Sequence, residues 1–209
     1  MILKQQYPPL ILGTHNQKKK GEMALLLEPI GFQLHSLAEY PNSLEVEETG
    51  ATFGENSRQK ASIQAKHLGA WVIGEDSGLE VAALDGRPGI YSARYSAPDP
   101  TDEKNNLKLL DELGDLPWEK RAARYVCHIA LSDPEGNIRL ETENYCGGRI
   151  RFSPSGTNGF GYDPLFEIVE YHRTFGELSP ELKSCISHRA RAMRAFVRGI
   201  SSLFEREGS

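Results

Sequence analysis

The sequence predicts an α/β protein built on a mixed β-sheet, and three observations carry that prediction. Through the first part of the chain, short apolar runs alternate with stretches of helical periodicity, the pattern of parallel strands joined by helices. The middle switches to period two on both sides of a turn sequence, which adds a long hairpin to that parallel layer. The last segment returns to helical spacing over a long apolar stripe.

The elements follow in order. Leu10 to Gly13 reads as a short buried strand. In the following "THNQKKKGEMALLLEPIG", Met23, Leu26, Leu27 and Ile30 recur at helical spacing and Gly31 supplies a stop. Phe32 to Ser36 is the next strand. Thr52 to Leu68 is a helix, with Thr52 as cap and Glu55 three residues on, the capping-box spacing. Ala70 to Ile73 then forms a strand that ends at the acids of "GEDSGLE". Leu107, Leu110 and Leu113 mark a helix after the loop "SAPDPTD". Tyr125, Cys127, Ile129 and Leu131 alternate along a strand, and "SDPEGN" turns the chain back into Ile138 to Tyr145. The final helix starts near Ser187, with Met193, Phe196, Val197, Ile200, Leu203 and Phe204 as its apolar face.

No repeat, low-complexity tract or linker divides the chain, so residues 1–209 are read as one domain. The formal net charge of -5 argues against a protein that coats nucleic acid, which would carry a basic excess. No apolar run approaches the roughly 20 residues needed to span a bilayer. The opening "MILKQQYPPLIL", broken by a lysine and two prolines, makes a poor signal peptide. Cys127, Cys146 and Cys185 are odd in number and far apart, which fits a reducing cytoplasm better than a disulfide framework or zinc cluster.

Five segments carry chemistry-bearing residues, the acids of "GEDSGLE" among them. "GTHNQKKKGE" places a strand end, a polar turn and three lysines at a helix start. Free N–H groups and the positive end of a helix suit phosphate there; a solvated, lysine-rich first turn is the other reading. It is not a P-loop, because G-x-x-x-x-G-K-[ST] is absent. "EVEETGATFGENSRQKA" gathers acids before a helix and offers Lys60. Glu48, Glu75 and Asp76 together would suit Mg²⁺, which takes one or two carboxylates plus phosphate and water oxygens. "SGTNGFGYDPLF" surrounds Phe160 and Tyr162 with glycines, either a base-stacking loop or a turn with core aromatics. "LKSCISHRARA" sets Lys183, Ser187, His188 and Arg189 around a helix start, as donors to a carbonyl on a base or as caps.

Laid in order, "THNQKK", "EETGATFGENSRQKA", "EDSGLEVAALDGRPGIYSARY", "GFGYDPLF" and "ELSPELKSCISHRARA" strongly resemble the inosine-triphosphate pyrophosphatase family, across nearly the whole chain. The resemblance implies an elongated mixed-sheet α/β fold, with two lobes flanking a central nucleotide cleft, in a homodimer. It implies hydrolysis of ITP, dITP and XTP to the monophosphate and pyrophosphate with Mg²⁺, which keeps these bases out of DNA and RNA. By position, the loop Thr14, His15, Asn16, Gln17, Lys18 and Lys19 meets the triphosphate, with Lys60 nearby. Glu48, Glu75 and Asp76 fall at the metal site, and Asp76 takes the general-base position. Ser77 contacts substrate, and Phe160, Gly161, Tyr162, Asp163, Lys183, His188 and Arg189 form the base pocket. Two departures stand out: the family has Asp-Asp where this chain has Glu75-Asp76, and glycine where His15 and Lys18 stand. The longer glutamate shifts a bound ion or calls for a bridging water.

Other readings separate cleanly. A nucleotide sensor that lost hydrolysis would bind but release no pyrophosphate. A nucleic-acid binder would show steep salt dependence. A Nudix-type enzyme would carry a long glutamate-rich helix, which this chain lacks.

Overall fold

The computed structural model describes residues 7–14 and 17–207. In chain order the elements are strand β1 (Leu10–Leu12), helix α1 (Gln17–Leu27), β2 (Leu34–Ser36), α2 (Phe53–Leu68) and β3 (Trp71–Val81). They continue as α3 (Asp102–Leu113), β4 (Ala122–Ser132), β5 (Ile138–Ile150) and β6 (Phe166–Ile168). β7 (Arg173–Thr174), α4 (Pro180–Ile186) and α5 (His188–Glu207) complete the fold. The strands form one seven-stranded sheet ordered β2-β1-β3-β4-β5-β6-β7. β1 pairs in parallel with β2 and β3, while the β5–β6 and β6–β7 pairs are antiparallel, so the sheet is mixed as the sequence predicts.

The chain forms two compact units, each drawn from separated segments. The first takes the chain up to Asp76, Cys127–Asn144 and the chain from Ala190 onward. Its strands are covered on both faces, which explains their unbroken apolar runs. Leu10, Leu12 and Ile73 pack with Met23, Leu27, Met193, Phe196 and Ile200, whereas Ile11 and Val72 point the other way onto Leu37 and Ala65. The second unit takes Ser77–Val126 and Tyr145–Arg189. Leu79, Val81, Tyr125, Ile150 and Phe166 form its core with Leu109 and Leu113 of α3.

Helix α2 starts where its cap sequence places it. The Thr52 hydroxyl accepts the Glu55 N–H at 3.1 Å, and the Glu55 carboxylate accepts the Ala51 N–H at 2.7 Å, one residue before the cap. Gly69, at φ 60°, ends it. Its buried side includes Asn56, Ser57, Lys60 and Gln64 among small residues, an unusually polar choice for a packed face.

Several boundaries differ from the sequence-based expectation. The strand expected over Ala70 to Ile73 runs on to Val81, so Glu75 and Asp76 lie inside a strand rather than in a loop beyond it. They remain there, 2% and 7% exposed, because lysine and asparagine side chains partner their carboxylates. β5 likewise continues past Tyr145 to Ile150. In α3 the buried leucines are Leu109 and Leu113, while Leu107 is 60% exposed. Ile30 lies at the surface beyond α1, in a turn that Gly31 closes at φ 97°.

One glycine fixes where α2 meets β3. A methyl group on Gly74 would stand 2.0 Å from the Ser57 carbonyl oxygen and 2.7 Å from the Ala61 nitrogen, both backbone atoms of α2. The helix therefore rests directly on the strand, immediately before the two acids. Gly74→Ala should destabilise the fold by at least the roughly 1–3 kcal/mol of ordinary overpacking, because backbone cannot swing aside. Thermal melting checks this, and a wild-type melting temperature would show that α2 can lift freely.

Candidate active site

In the first unit, α2 and β3 build a buried cluster of charges. Asn56 and Lys60 lie four residues apart on one face of α2, so both reach the same point of β3. The Lys60 ammonium donates to Asp76 Oδ1 at 3.1 Å and lies 3.1 Å from Glu48 Oε1. Asn56 Nδ2 donates to Asp76 Oδ2 at 3.1 Å, so both oxygens of this carboxylate are oriented. On the neighbouring residue, Glu75 Oε2 pairs with Lys19 of α1 at 2.5 Å, and the Cys127 thiol donates to Oε1 at 3.5 Å.

These contacts set the proton affinities. Burial pushes the Asp76 carboxyl above its ordinary value, and the charges of Glu48 and Glu75 push the same way against Lys60 and Asn56. Burial works against the Lys60 ammonium, yet Asp76, Glu48 and Glu75 more than offset it and raise its value. The loop after β1 reaches the same region: the Gly13 N–H donates to the Ile73 carbonyl at 2.7 Å, and Lys19 follows in α1. Thr14 stands in that loop, while His15 and Asn16 lie outside the described residues, as do the side chains of Gln17 and Lys18.

Among the described residues no three His, Cys, Asp or Glu side chains close on a single metal position. Glu48 and Asp76 instead flank one ammonium, with Glu75 drawn to another. The donors are all carboxylate oxygens, the type a hard divalent cation takes, and burial first, then the charges of Glu48 and Glu75, raise Asp76.

The second unit gathers the remaining predicted residues. Lys183, on α4, donates to Asp163 Oδ2 at 2.5 Å, and that same oxygen accepts the Phe160 N–H at 2.8 Å. Gly159, at φ 81°, passes so close that an added methyl would lie 2.0 Å from Asp163 Oδ2, so this turn admits only glycine. The Lys183 nitrogen lies 4.8 Å from the centre of the Phe160 ring and the Arg189 guanidinium 5.8 Å from it. Arg189 Nη2 also donates to Ser77 Oγ at 3.0 Å. His188 stacks on Tyr125 with ring centres 4.6 Å apart and planes 10° from parallel. Gly161 lies in the same loop, whereas the Tyr162 ring is buried in the unit's core and its hydroxyl donates to the Ser92 carbonyl at 2.8 Å.

Asn56 and Tyr125 escaped the reading of the sequence. Asn56 had a usable signal, its four-residue spacing from Lys60 on one helix. Tyr125 had none, since it reads only as one apolar position in an alternating strand.

With this geometry in place, comparison with known proteins gives the class. Residues 10–199 match the Ham1 family, and the chain belongs to that family. Among its relatives, the dITP/XTP pyrophosphatase of Rhodopirellula baltica is 52% identical over 188 residues, 90% of each chain. The dITP/XTP pyrophosphatase of an Exiguobacterium species is 46% identical over 88% of this chain and 93% of its own. Of solved structures, the Ham1 protein of Staphylococcus aureus superposes with a TM-score of 0.84 at 37% identity, covering 93% of this chain and 98% of its own. A HAM1 protein from Coxiella burnetii gives 0.87 at 35% identity, covering 94% and 100%.

The raised Asp76 predicts a stability signature. A carboxyl whose folded value is raised stabilises the fold most while protonated, below the ordinary aspartate value of 3.8. It loses that contribution as pH rises through the folded value. In chelator-treated protein, Asp76→Asn should therefore melt at or above wild type at pH 7, and the difference should shrink in acid. A clearly lower melting temperature for the variant at pH 7 would show that the Lys60 pair outweighs burial.

Proposed function

We propose that this chain hydrolyses the non-standard purine nucleoside triphosphates dITP, ITP and XTP to the monophosphate and pyrophosphate. The observation that carries the reading is Asp76, a buried carboxylate of raised proton affinity, oriented through both oxygens, in a chain whose relatives are dITP/XTP pyrophosphatases. Residues of the first unit act on the triphosphate, and those of the second recognise the base.

The chemistry follows from the products. Water oxygen bonds to the α-phosphorus, the bond to the bridging oxygen breaks, and pyrophosphate leaves. Asp76 accepts the water's proton on its carboxylate, and its raised affinity brings it closer to the pH where a general base works well. Lys60 and Lys19 supply positive charge toward the phosphates, which matters because phosphoryl transfer is governed by positioning and charge. Glu48 and Asp76, with Glu75 beside them, would hold Mg²⁺, which supplies neutralisation of phosphate charge and a lowered pKa for water.

Selectivity belongs to the second unit. Hypoxanthine and xanthine present a carbonyl at position 6 where adenine presents an amino group. Donors from His188 and Arg189 satisfy the carbonyl and would face adenine's amino group donor to donor. Unpaired polar groups of that kind discriminate by orders of magnitude. Phe160 provides a stacking face that serves all purines alike. A homodimer working in the cytoplasm completes the proposal, supported by the family resemblance and by the odd number and wide spacing of Cys127, Cys146 and Cys185 in the sequence.

A panel of nucleoside triphosphates scored for pyrophosphate release tests the reading. ITP, dITP and XTP should far exceed ATP, and chelation should abolish release. Asp76→Asn should lose the roughly 10²–10⁴-fold that a general base contributes. Arg189→Ala should collapse the ITP-to-ATP ratio while Phe160→Ala weakens all purines. Lys19→Ala should weaken triphosphate binding far more than monophosphate binding. Equal hydrolysis of ATP and ITP by wild type would overturn the proposal.

A further inference from the structure

The loop that carries Phe160 touches α3 in an unusual way. Asp102 Oδ2 accepts the Gly161 N–H at 2.7 Å, and Asn106 Nδ2 donates to the Gly161 carbonyl at 2.9 Å. These two side chains lie four residues apart, on one face of α3. The N–H that Asp102 accepts belongs to the peptide linking Phe160 to Gly161, and the carbonyl that Asn106 holds belongs to the next peptide, between Gly161 and Tyr162. On its other side, the Phe160 N–H is taken by Asp163 at 2.8 Å. Both peptides flanking Phe160 are thus fixed by side chains, and with them the direction in which the ring points.

Close packing does not do this work. A pocket of about 420 Å³ lies against the loop, bordered by Asn106, Leu107 and Leu110 of α3 and by Pro154, Thr157 and Phe160. Gly161 itself, at φ 61°, has open space where a side chain would be. A glycine next to an unfilled pocket is free to move unless something holds it. Asn106 is a costly residue for the position: it is only 9% exposed and its amide oxygen has no hydrogen-bond partner. A leucine would bury more cheaply, so what the asparagine provides is its donor to Gly161.

We propose that Asp102 and Asn106 are positioning residues for base recognition, a clamp from α3 that sets the Phe160 ring for stacking. This rests on the reading that Phe160 stacks on the purine. Neither side chain touches the base; both act through Gly161. Their loss spares the hydrolytic step and weakens capture of the nucleotide.

Steady-state hydrolysis of ITP by wild type, Asp102→Ala, Asp102→Asn, Asn106→Ala and Phe160→Ala tests it, with melting temperatures measured alongside. Asp102 is exposed, so its variants fold even if Asn106→Ala does not. Asp102→Ala should raise KM roughly tenfold, the scale of one hydrogen bond to a charged group, while kcat stays within about twofold. Asp102→Asn should recover most of that loss, because an amide oxygen still accepts the Gly161 N–H. A residue serving only as a negative charge in the first turn of α3 would instead fail equally as asparagine and as alanine. That outcome overturns the clamp, as does a fall in kcat at unchanged KM. If Phe160→Ala raises KM and Asp102→Ala does not, the clamp is wrong and the stacking reading stands. If Phe160→Ala leaves KM unchanged, stacking fails and the clamp falls with it.

Discussion

Much of the first unit is organised by a single ammonium group. Lys60 reaches Glu48 and Asp76 from a helix whose backbone lies against Gly74 of the strand that carries the acids. Buried Glu75 and Asp76 and the partly exposed Glu48 repel one another, and nearby positive charge offsets that repulsion. Loss of the lysine is the costly change, typically about 3–5 kcal/mol for a buried pair, because it leaves the carboxylates without their positive partner. The close approach at Gly74, the cap at Thr52 and the polar stripe of α2 all place that ammonium. A larger residue at position 74 would hold the helix away and leave the lysine short of its partners.

This arrangement also explains how acids can stand within a strand. A sequence reader meeting Glu75 and Asp76 after "AWVI" ends the strand there, since unpaired carboxylates belong in water. The partners that overturn this, Lys19, Asn56 and Lys60, come from two other elements, α1 and α2, and period-two patterns carry no trace of them. Elements governed by their own residues were readable: α2 between Thr52 and Gly69, the start of α5, and the parallel pairing of β1. In α3, by contrast, Leu107 and Leu109 are equally apolar, and only the packed core selects Leu109. The family was legible from the motifs, while the pairing of Lys19, Asn56 and Lys60 with the two acids was not.

In the second unit the Phe160 ring faces two cations. Lys183 and Arg189 lie over it, and each also holds a fixed oxygen, Asp163 for the lysine and Ser77 for the arginine. The cation–π contacts are worth only about 0.5–2 kcal/mol, so they yield more readily than the directional contacts to Asp163 and Ser77. The same two side chains can therefore keep an apolar face covered and remain oriented donors.

The division of the chain bears on how this protein is made. Each unit is assembled from segments that the other interrupts, and the first is completed only by residues after Arg189. A ribosome emits the chain from its N-terminus at about 5–20 residues per second, so the α5 stripe that closes the first core over Met23 and Ile73 arrives last. Until then β1 and β3 have an uncovered apolar face, the condition under which nascent chains associate wrongly. Loss of even the last few turns would strip Ile200 and Phe204 from that core while leaving every active-site residue in the sequence. Premature termination near the C-terminus would thus act as a folding defect, and chaperone demand during synthesis is written into the order of the segments.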